Sequence, residues 1–175
     1  MAAREPLLHF SEDPSIESFV PHVPRTNPSQ RPAVWAIDGA HAPLYWFPRD
    51  CPRGAVWAND DAERARLRAT FLTSAPRVQA TELAWLERMR AARLYVYQLG
   101  PEPFEPWAEA DGQYVARTTV EPLAVRPLGD LLELHASAGV ELRFVPDLAP
   151  FWAAVVASGL PFSGVRLPDR VRRTG

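Results

Sequence analysis

The stretch LYVYQL, residues 94–99, decides the fold class of this chain. Its β-branched and aromatic side chains predict a strand, the clearest one in the sequence. Apolar runs on either side, at residues 33–37 (AVWAI) and 140–145 (VELRFV), predict further strands. Strands outnumber helices and do not alternate regularly with them. The sequence therefore predicts an α+β fold, in which a mixed or antiparallel sheet carries peripheral helices.

The remaining predicted elements follow from apolar spacing, turn residues and capping residues. Further strands are predicted at residues 55–58 and 77–83, and residues 113–118 and 120–125 form one strand or a broken pair of strands; residues 7–10 are a short apolar run that ends in a turn. Helices are predicted at residues 14–20 (one turn), 41–47, 60–72, 84–92, 128–137 and 148–158. Asn59 and Asp147 precede two of these helices and are their predicted N-caps. Prolines mark the predicted loops at residues 21–32, 47–53 and 100–112.

Length and composition limit the class of protein. A chain of 175 residues predicts a single domain over residues 1–175, with an end at 166–175 that frays. All 19 basic residues are arginine, yet the net charge of −2 gives no general attraction to nucleic acid. No apolar run approaches the roughly 18 residues that span a bilayer. The single cysteine and the lack of a signal peptide predict a cytoplasmic protein without a membrane or nucleic-acid partner.

The common signatures of metal and phosphate sites are absent from the sequence. Its four histidines have no ligand spacing, and one cysteine cannot build a structural zinc site. The nine glycines never occur as GxGxxG or GxxxxGK. We therefore expect no metal site and no standard dinucleotide fold.

Two short motifs contain candidate ligand-binding residues. In HFSED, residues 9–13, His9 and Ser11 either contact a ligand or are a buried histidine bonded to backbone and a turn-capping serine. Asp38 and His41 lie three residues apart, so they can form an acid–base pair, or Asp38 caps the following helix. We favour the cap. Tyr45, on that same short helix, belongs to the candidate binding set.

The sharpest charged cluster is FPRDCPR, residues 47–53. Arg49 and Arg53 flank Cys51, and nearby cations stabilise a thiolate, so Cys51 is a candidate nucleophile. The two arginines can instead grip a phosphate or carboxylate. The structural alternative is a proline-rigid loop with paired charges and a small buried cysteine. We favour that alternative for Cys51, whereas anion binding by the arginines remains open.

The blocks HFSED and FPRDCPR, together with RLYVYQL at 93–99 and YVARTTVEPLAVRPLGDLL at 114–132, resemble an uncharacterised bacterial family of unknown function over nearly the whole chain. The order of the blocks is also similar to that of rifampin ADP-ribosyltransferase and its small relatives. Residues 9–11 stand where those enzymes have His-Gly-Thr, and residues 34–37 stand at their aromatic strand. Residues 93–97 resemble their Ile-Tyr-Val-Val strand, and Arg117 with residues 122–125 resembles their last block.

The second resemblance implies an ADP-ribosyltransferase-like fold, NAD as the cofactor and an unknown acceptor. By that likeness His9 binds the ribose, Ser11 contacts the nicotinamide amide and Trp35 stacks on the nicotinamide ring. The acid that stabilises the oxocarbenium-like state is Glu105 or Glu121. Trp35 replaces a family tyrosine, and bulky residue 10 replaces a family glycine.

Three functions remain at this stage. The first is an NAD-dependent ADP-ribosyltransferase-like enzyme, and the second is a non-catalytic module that binds a nucleotide or anion in the same cleft, with Arg49 and Arg53 as grips. The third is a hydrolase that uses Cys51. We rank them in that order.

Overall fold

The computed structural model describes residues 5–23 and 28–174, which fall into two compact units. The first unit contains the chain up to Tyr45 together with Arg93–Leu128, and the second contains Trp46–Ala92 and the chain from Gly129 onward. The single domain expected from the length stays a prediction. Residues 24–27, inside the predicted loop 21–32, lie outside the described residues, as does Gly175 in the predicted frayed end.

Each unit is built on one sheet. The strands of the first unit are β1 (Leu7–Ser11), β2 (Val34–Ile37), β5 (Tyr95–Leu99), β6 (Phe104–Pro106), β7 (Gln113–Ala116) and β8 (Pro122–Pro127). Those of the second are β3 (Arg53–Trp57), β4 (Arg77–Glu82), β9 (Val140–Val145) and β10 (Phe162–Val165). The α-helices, all in the second unit, are α1 (Asp61–Phe71), α2 (Leu86–Ala91), α3 (Leu131–Ser137), α4 (Leu148–Ala157) and α5 (Asp169–Arg172). The predicted α+β fold is confirmed.

The sheet of the first unit is antiparallel, in the order β6-β7-β2-β1-β5-β8. The strand predicted from LYVYQL forms β5 and pairs with β1 at five positions, from Leu7↔Leu99 to Ser11↔Tyr95. One face of this sheet carries an apolar cluster that includes Val34, Tyr97 and Phe19. Because side chains alternate along a strand, the residues between the cluster members point to the opposite face.

The sheet of the second unit is mixed, in the order β10-β3-β4-β9, with β4 and β9 parallel. Its apolar core joins Val56 and Val78 on the strands to Leu67 of α1 and Val155 of α4, all fully buried. Strand β10 pairs with β3 through four residue pairs and has no counterpart among the predicted elements. At the C-terminal end the chain forms α5, whose Val171 is fully buried in the same core.

Several predicted elements were wrong or displaced, and tertiary contacts explain the differences. The helical turn expected at 14–20 does not form, because the Ile16 N–H donates to the Tyr97 hydroxyl and Phe19 forms a β-bridge to Val120. The N-cap of α1 is Asp60 rather than Asn59. The helix predicted at 84–92 divides into a 3-10 turn, Leu83–Trp85, and α2.

Two other details differ from the expected pattern. The predicted loop at 100–112 contains the short strand β6, whose Phe104 is buried in the apolar cluster of the first unit. The short helix predicted at 41–47 is a 3-10 helix, Ala42–Tyr45. Among the described residues, none of the helices has the length and apolar character needed to cross a bilayer.

Candidate functional site

A cavity opens in the first unit where β1 and β2 separate. The two strands form one residue pair, Leu8↔Ile37, whereas β1 follows β5 along its whole length. The cavity is small, with a volume of about 80 Å³. Its described walls include residues of both strands, of the 3-10 helix after β2 and of β7, among them His9, Phe10, Trp35, Ile37, Tyr45 and Gln113. We call it the β1–β2 cavity.

His9 bridges the two separated strands. Its Nδ1 lies 2.9 Å from the carbonyl oxygen of Trp35, and its ring packs 4.6 Å from the ring of Phe19. A carbonyl oxygen only accepts, so Nδ1 carries the proton and Nε2 of the neutral ring is an acceptor. Burial is the main influence on this group and lowers the pKa of His9, with a smaller lowering from His22 and an opposing effect of the Trp35 carbonyl. The imidazole is therefore neutral near pH 7.

Trp35 leaves β2 on the face opposite to His9. Its neighbours Val34 and Ala36 belong to the apolar cluster that holds Phe19, so alternation sends the indole to the other side. There it meets the ring of Trp107 edge-on at 5.2 Å. The indole Nε1 is buried and has no hydrogen-bond partner among the described residues. The His9 ring and the Trp35 indole thus lie on opposite faces of the sheet, which argues against the joint contact with NAD that the ADP-ribosyltransferase likeness implies.

Aromatic rings form much of the remaining wall. The rings of Phe10 and Tyr45 are almost parallel, with an interplanar angle of 5° and centroids 6.5 Å apart. The Gln113 amide donates to the Tyr45 hydroxyl at 3.2 Å. The described lining contains no carboxylate and no arginine. Such a site suits a flat, neutral ring with a few hydrogen-bonding groups.

The other residues proposed from the resemblance lie outside this lining. Ser11 Oγ accepts from the Asp13 N–H at 3.1 Å, which is the turn-capping role considered for it. Glu105 is exposed on β6 and pairs with Val115, which itself pairs with Trp35, so Glu105 and Trp35 share a face. Glu121 is exposed beside Val120, just before β8. Whether either acid serves the cavity stays a prediction.

Asp38 and His41 form a close pair. Asp38 Oδ1 accepts from the backbone N–H of His41 and from its ring Nδ1, both at 2.8 Å. The cap favoured from the sequence and the acid–base pair therefore use the same oxygen. Gly112 makes this packing possible, because a Cβ there would lie 2.1 Å from His41 Nδ1.

The FPRDCPR loop belongs to the second unit and is largely buried. Arg53 is 7% exposed, donates from Nη1 to the Cys51 carbonyl at 3.0 Å and lies 4.9 Å from the Phe47 ring centroid. Cys51 is fully buried, with Sγ 3.3 Å from Thr81 Oγ1. Burial raises the pKa of Cys51, and this effect exceeds the opposing influences of Thr81, Arg53 and Arg88. Arg49 is exposed. Burial and a protonated thiol fit the structural reading of Cys51.

Sequence reasoning missed two residues of the cavity wall, Phe10 and Gln113, and it missed Trp107, whose ring packs on Trp35. Phe10 entered only as the bulky replacement of a family glycine, yet it is part of the wall and its ring is nearly parallel to that of Tyr45. Gln113 and Trp107 entered only as parts of a predicted strand and loop, and pairing between β2 and β7 (Ile37↔Gln113) brings Gln113 to the site. Only the strand register, which the sequence does not contain, could have identified Gln113.

Comparison with known proteins gives one result. A family model described as a family of unknown function, DUF6886, matches residues 8–170. This span includes both the HFSED motif and the FPRDCPR loop. The predicted membership of a family of unknown function is therefore confirmed. No curated protein and no solved structure matches the chain. No named relative therefore supports the likeness to ADP-ribosyltransferases.

Proposed function

The chain belongs to the DUF6886 family of unknown function, and we propose that its first unit binds the planar heteroaromatic ring of a nucleotide in the β1–β2 cavity. The observation that carries the proposal is the wall of the cavity, where three aromatic side chains surround an uncharged space. NAD is the first ligand to test, because the block order resembles that of NAD-using enzymes. The proposed function is the binding of this ring, and catalysis of ADP-ribosyl transfer is a second candidate.

The polar groups at the cavity suit a ring that carries both donors and acceptors. The Gln113 amide in the wall has donor and acceptor atoms, and the Tyr45 hydroxyl, which accepts from it, can donate. A nicotinamide carboxamide or an adenine edge offers complementary groups. The absence of arginine from the described lining means that phosphate contacts do not contribute inside this cavity. The ring is thus the recognised part of the ligand.

Stacking on Trp35 is expected to supply much of the affinity. Loss of one aromatic platform costs about 1–3 kcal/mol per stacked base, which corresponds to a factor of about 5 to 150 in Kd. We expect Trp35→Leu to weaken NAD binding by a factor in this range, measured by isothermal titration calorimetry. Trp35→Phe keeps a ring and restores part of the affinity.

Two controls separate binding from folding. Trp85→Leu removes a partly buried tryptophan of the second unit and leaves the affinity unchanged. Ribose 5-phosphate, which lacks the ring, does not compete with NAD, whereas AMP and nicotinamide mononucleotide identify the ring that is read. Equal NAD binding by the wild type and Trp35→Leu, with both folded by circular dichroism, would contradict the proposal.

ADP-ribosyl transfer is the second candidate. It is supported by the order of the sequence blocks and by the presence of both His9 and Trp35 in the wall of one cavity, and it is weakened by the opposite faces on which their rings lie. In the reaction the bond between ribose C1′ and the nicotinamide nitrogen breaks, and nicotinamide leaves as a neutral molecule. The acceptor nucleophile forms the new bond to C1′ and loses its proton to solvent or to a base.

Release of nicotinamide from NAD tests this second candidate. If Glu105 or Glu121 stabilises the positive charge that develops on the ribose, replacing that residue by Gln lowers the rate by about 100-fold or more while NAD binding persists. The variant of the other glutamate is the matched control. Tight NAD binding without nicotinamide release, in the presence of cellular acceptor extracts, would leave only the binding function.

A further inference from the structure

A second concave site lies in the first unit, and it differs chemically from the β1–β2 cavity. Its volume is about 290 Å³. Its described walls combine two carboxylates with aromatic rings and prolines, among them Glu5, Asp38, Pro101, Phe104, Pro106 and Tyr114. Leu7 and Phe104 both line it, and both belong to the apolar cluster on the His9 face of the sheet. We call it the Asp38 groove.

The carboxylate of Asp38 is held in place by the protein. The Asp38 N–H donates to the Gly112 carbonyl at 2.9 Å, which extends the pairing of β2 with β7. Both hydrogen bonds from His41 end on Oδ1. The side chain of Asp38 keeps 31% of its surface exposed, and Oδ2 has capacity to accept further hydrogen bonds.

Strand register brings Glu5 near Asp38. Leu8 pairs with Ile37, the last residue of β2, so Asp38 directly follows this pair and Glu5 lies three residues before it on the other segment. Both side chains line the Asp38 groove, so one extended cation can contact both carboxylates.

The walls between the two acids favour an organic cation over a metal ion. The lining includes the aromatic residues Tyr114 and Phe104, which can interact with a planar cation, and its three prolines have no backbone N–H to repel one. Among the described residues no group of three or more His, Cys, Asp and Glu side chains forms a metal-ligand set. The described lining contains no arginine or histidine.

We propose that the Asp38 groove binds a guanidinium group, with Asp38 and Glu5 as its carboxylate partners. A guanidinium is planar, stacks on aromatic rings and donates in a fork that matches a carboxylate. Such a group comes from free arginine or from an arginine side chain of a polypeptide. The proposal concerns a different site from the nucleotide-ring cavity and does not depend on it.

Titration of the nitrogen-15-labelled protein by NMR tests the proposal. The probes are L-arginine, the blocked peptide acetyl-Gly-Gly-Arg-Gly-Gly-amide, and the same peptide with citrulline or lysine. We expect the arginine probes to shift the backbone amides of Gly39 and Tyr114 at concentrations where the uncharged citrulline peptide has no effect. Peptide binding several-fold tighter than that of free arginine assigns a polypeptide source, and equal binding assigns the free amino acid.

Charge-neutralising variants complete the test. Glu5→Gln and Asp38→Asn are each expected to raise Kd by roughly 2- to 5-fold, as exposed charge pairs do. Asp38→Asn keeps an acceptor oxygen for the His41 N–H, and Glu5→Gln alone decides the matter if Asp38→Asn disturbs the spectrum. Glu17→Gln, an exposed acid of the same unit, is the control. Equal shifts by citrulline, equal affinity for lysine, or wild-type affinity in the double variant would overturn the proposal.

Discussion

The β1–β2 cavity and the sheet of the second unit differ in how completely their strands pair. Strands β1 and β2 share one residue pair, whereas β4 pairs with β3 at four positions and with β9 at six. Incomplete pairing leaves space between the strands, which the aromatic residues Phe10, Trp35 and Tyr45 line. Continuous pairing on β4 buries Gln79 and Thr81 completely. The β1–β2 cavity thus arises from a break in a ladder.

The two regions also show that a charged cluster in the sequence need not form a charged surface in the structure. FPRDCPR is the densest cluster of potential catalytic groups in the sequence, yet its Cys51 and Arg53 lie in the interior of the second unit. The β1–β2 cavity is built from uncharged rings that carry little sequence signal. Burial decides which side chains reach a ligand, and residue type alone does not.

Replacement of Arg53 by Gln is expected to have the largest effect on stability. The change removes a buried hydrogen bond to the Cys51 carbonyl and a cation–π contact with Phe47, and should cost about 2–4 kcal/mol of unfolding free energy. Arg49→Gln, at an exposed position of the same loop, should change it by no more than about 0.5 kcal/mol. Urea denaturation measures both. If both variants lose the same stability, or if either loses ligand binding without losing stability, the FPRDCPR loop would again be a candidate ligand site.

Much of the fold could be predicted from the sequence because local patterns govern it. Alternating apolar residues located β5 and β9, and Asp147 was identified as the cap of α4, where it accepts from the Ala149 N–H. Strand β10 was missed because FSGV contains a glycine and no clear alternation. Gly164 is needed there, since a Cβ would lie 2.5 Å from the Trp152 ring.

The candidate site was predicted only in part, because it depends on pairing between distant segments. His9, Trp35 and Tyr45 were chosen from the sequence, and all three line the β1–β2 cavity. Their convergence requires the antiparallel neighbours β1 and β2 to separate after a single pair, which no local pattern encodes. The sequence also does not show which side chains of neighbouring strands share a face of the sheet, so the opposite directions of His9 and Trp35 could not be foreseen.

The pH dependence of stability gives the next largest effect. Burial lowers the pKa of both His9 and His135 below the ordinary value of 6.5. The unfolded chain therefore binds protons at a higher pH than the folded chain does. The stabilising contribution of the two neutral histidines is complete above about pH 6.5 and declines as the pH falls through that value toward their folded-state pKa. The free energy of unfolding then falls by at most about 1.4 kcal/mol per pH unit for each histidine. Urea titrations between pH 7.5 and 5 measure it.

Variants of the two histidines divide this effect between the units. His9→Gln and His135→Gln should each reduce the slope between pH 6.5 and 5, and the double variant should reduce it further. His135 packs against the rings of Trp46 and Phe47, so its variant also lowers the stability at pH 7.5. A slope that is unchanged in the double variant would show that other groups produce the acid sensitivity.

The smallest expected effect concerns Cys51, and it asks whether the buried loop retains any chemistry. Cys51→Ala removes the contact with Thr81 Oγ1 and should cost about 0.5–1.5 kcal/mol, because Thr81 keeps its hydrogen bond to the Pro52 carbonyl at 2.7 Å. Since burial raises the pKa of the thiol, iodoacetamide at pH 7 should label the native protein far more slowly than the urea-unfolded protein. The same variant should leave NAD binding unchanged, since Cys51 and the described lining of the β1–β2 cavity belong to different units. Rapid stoichiometric labelling of the native chain would instead identify Cys51 as a reactive thiolate, and the contrast between a ligand-accessible cavity and a closed loop would then be wrong.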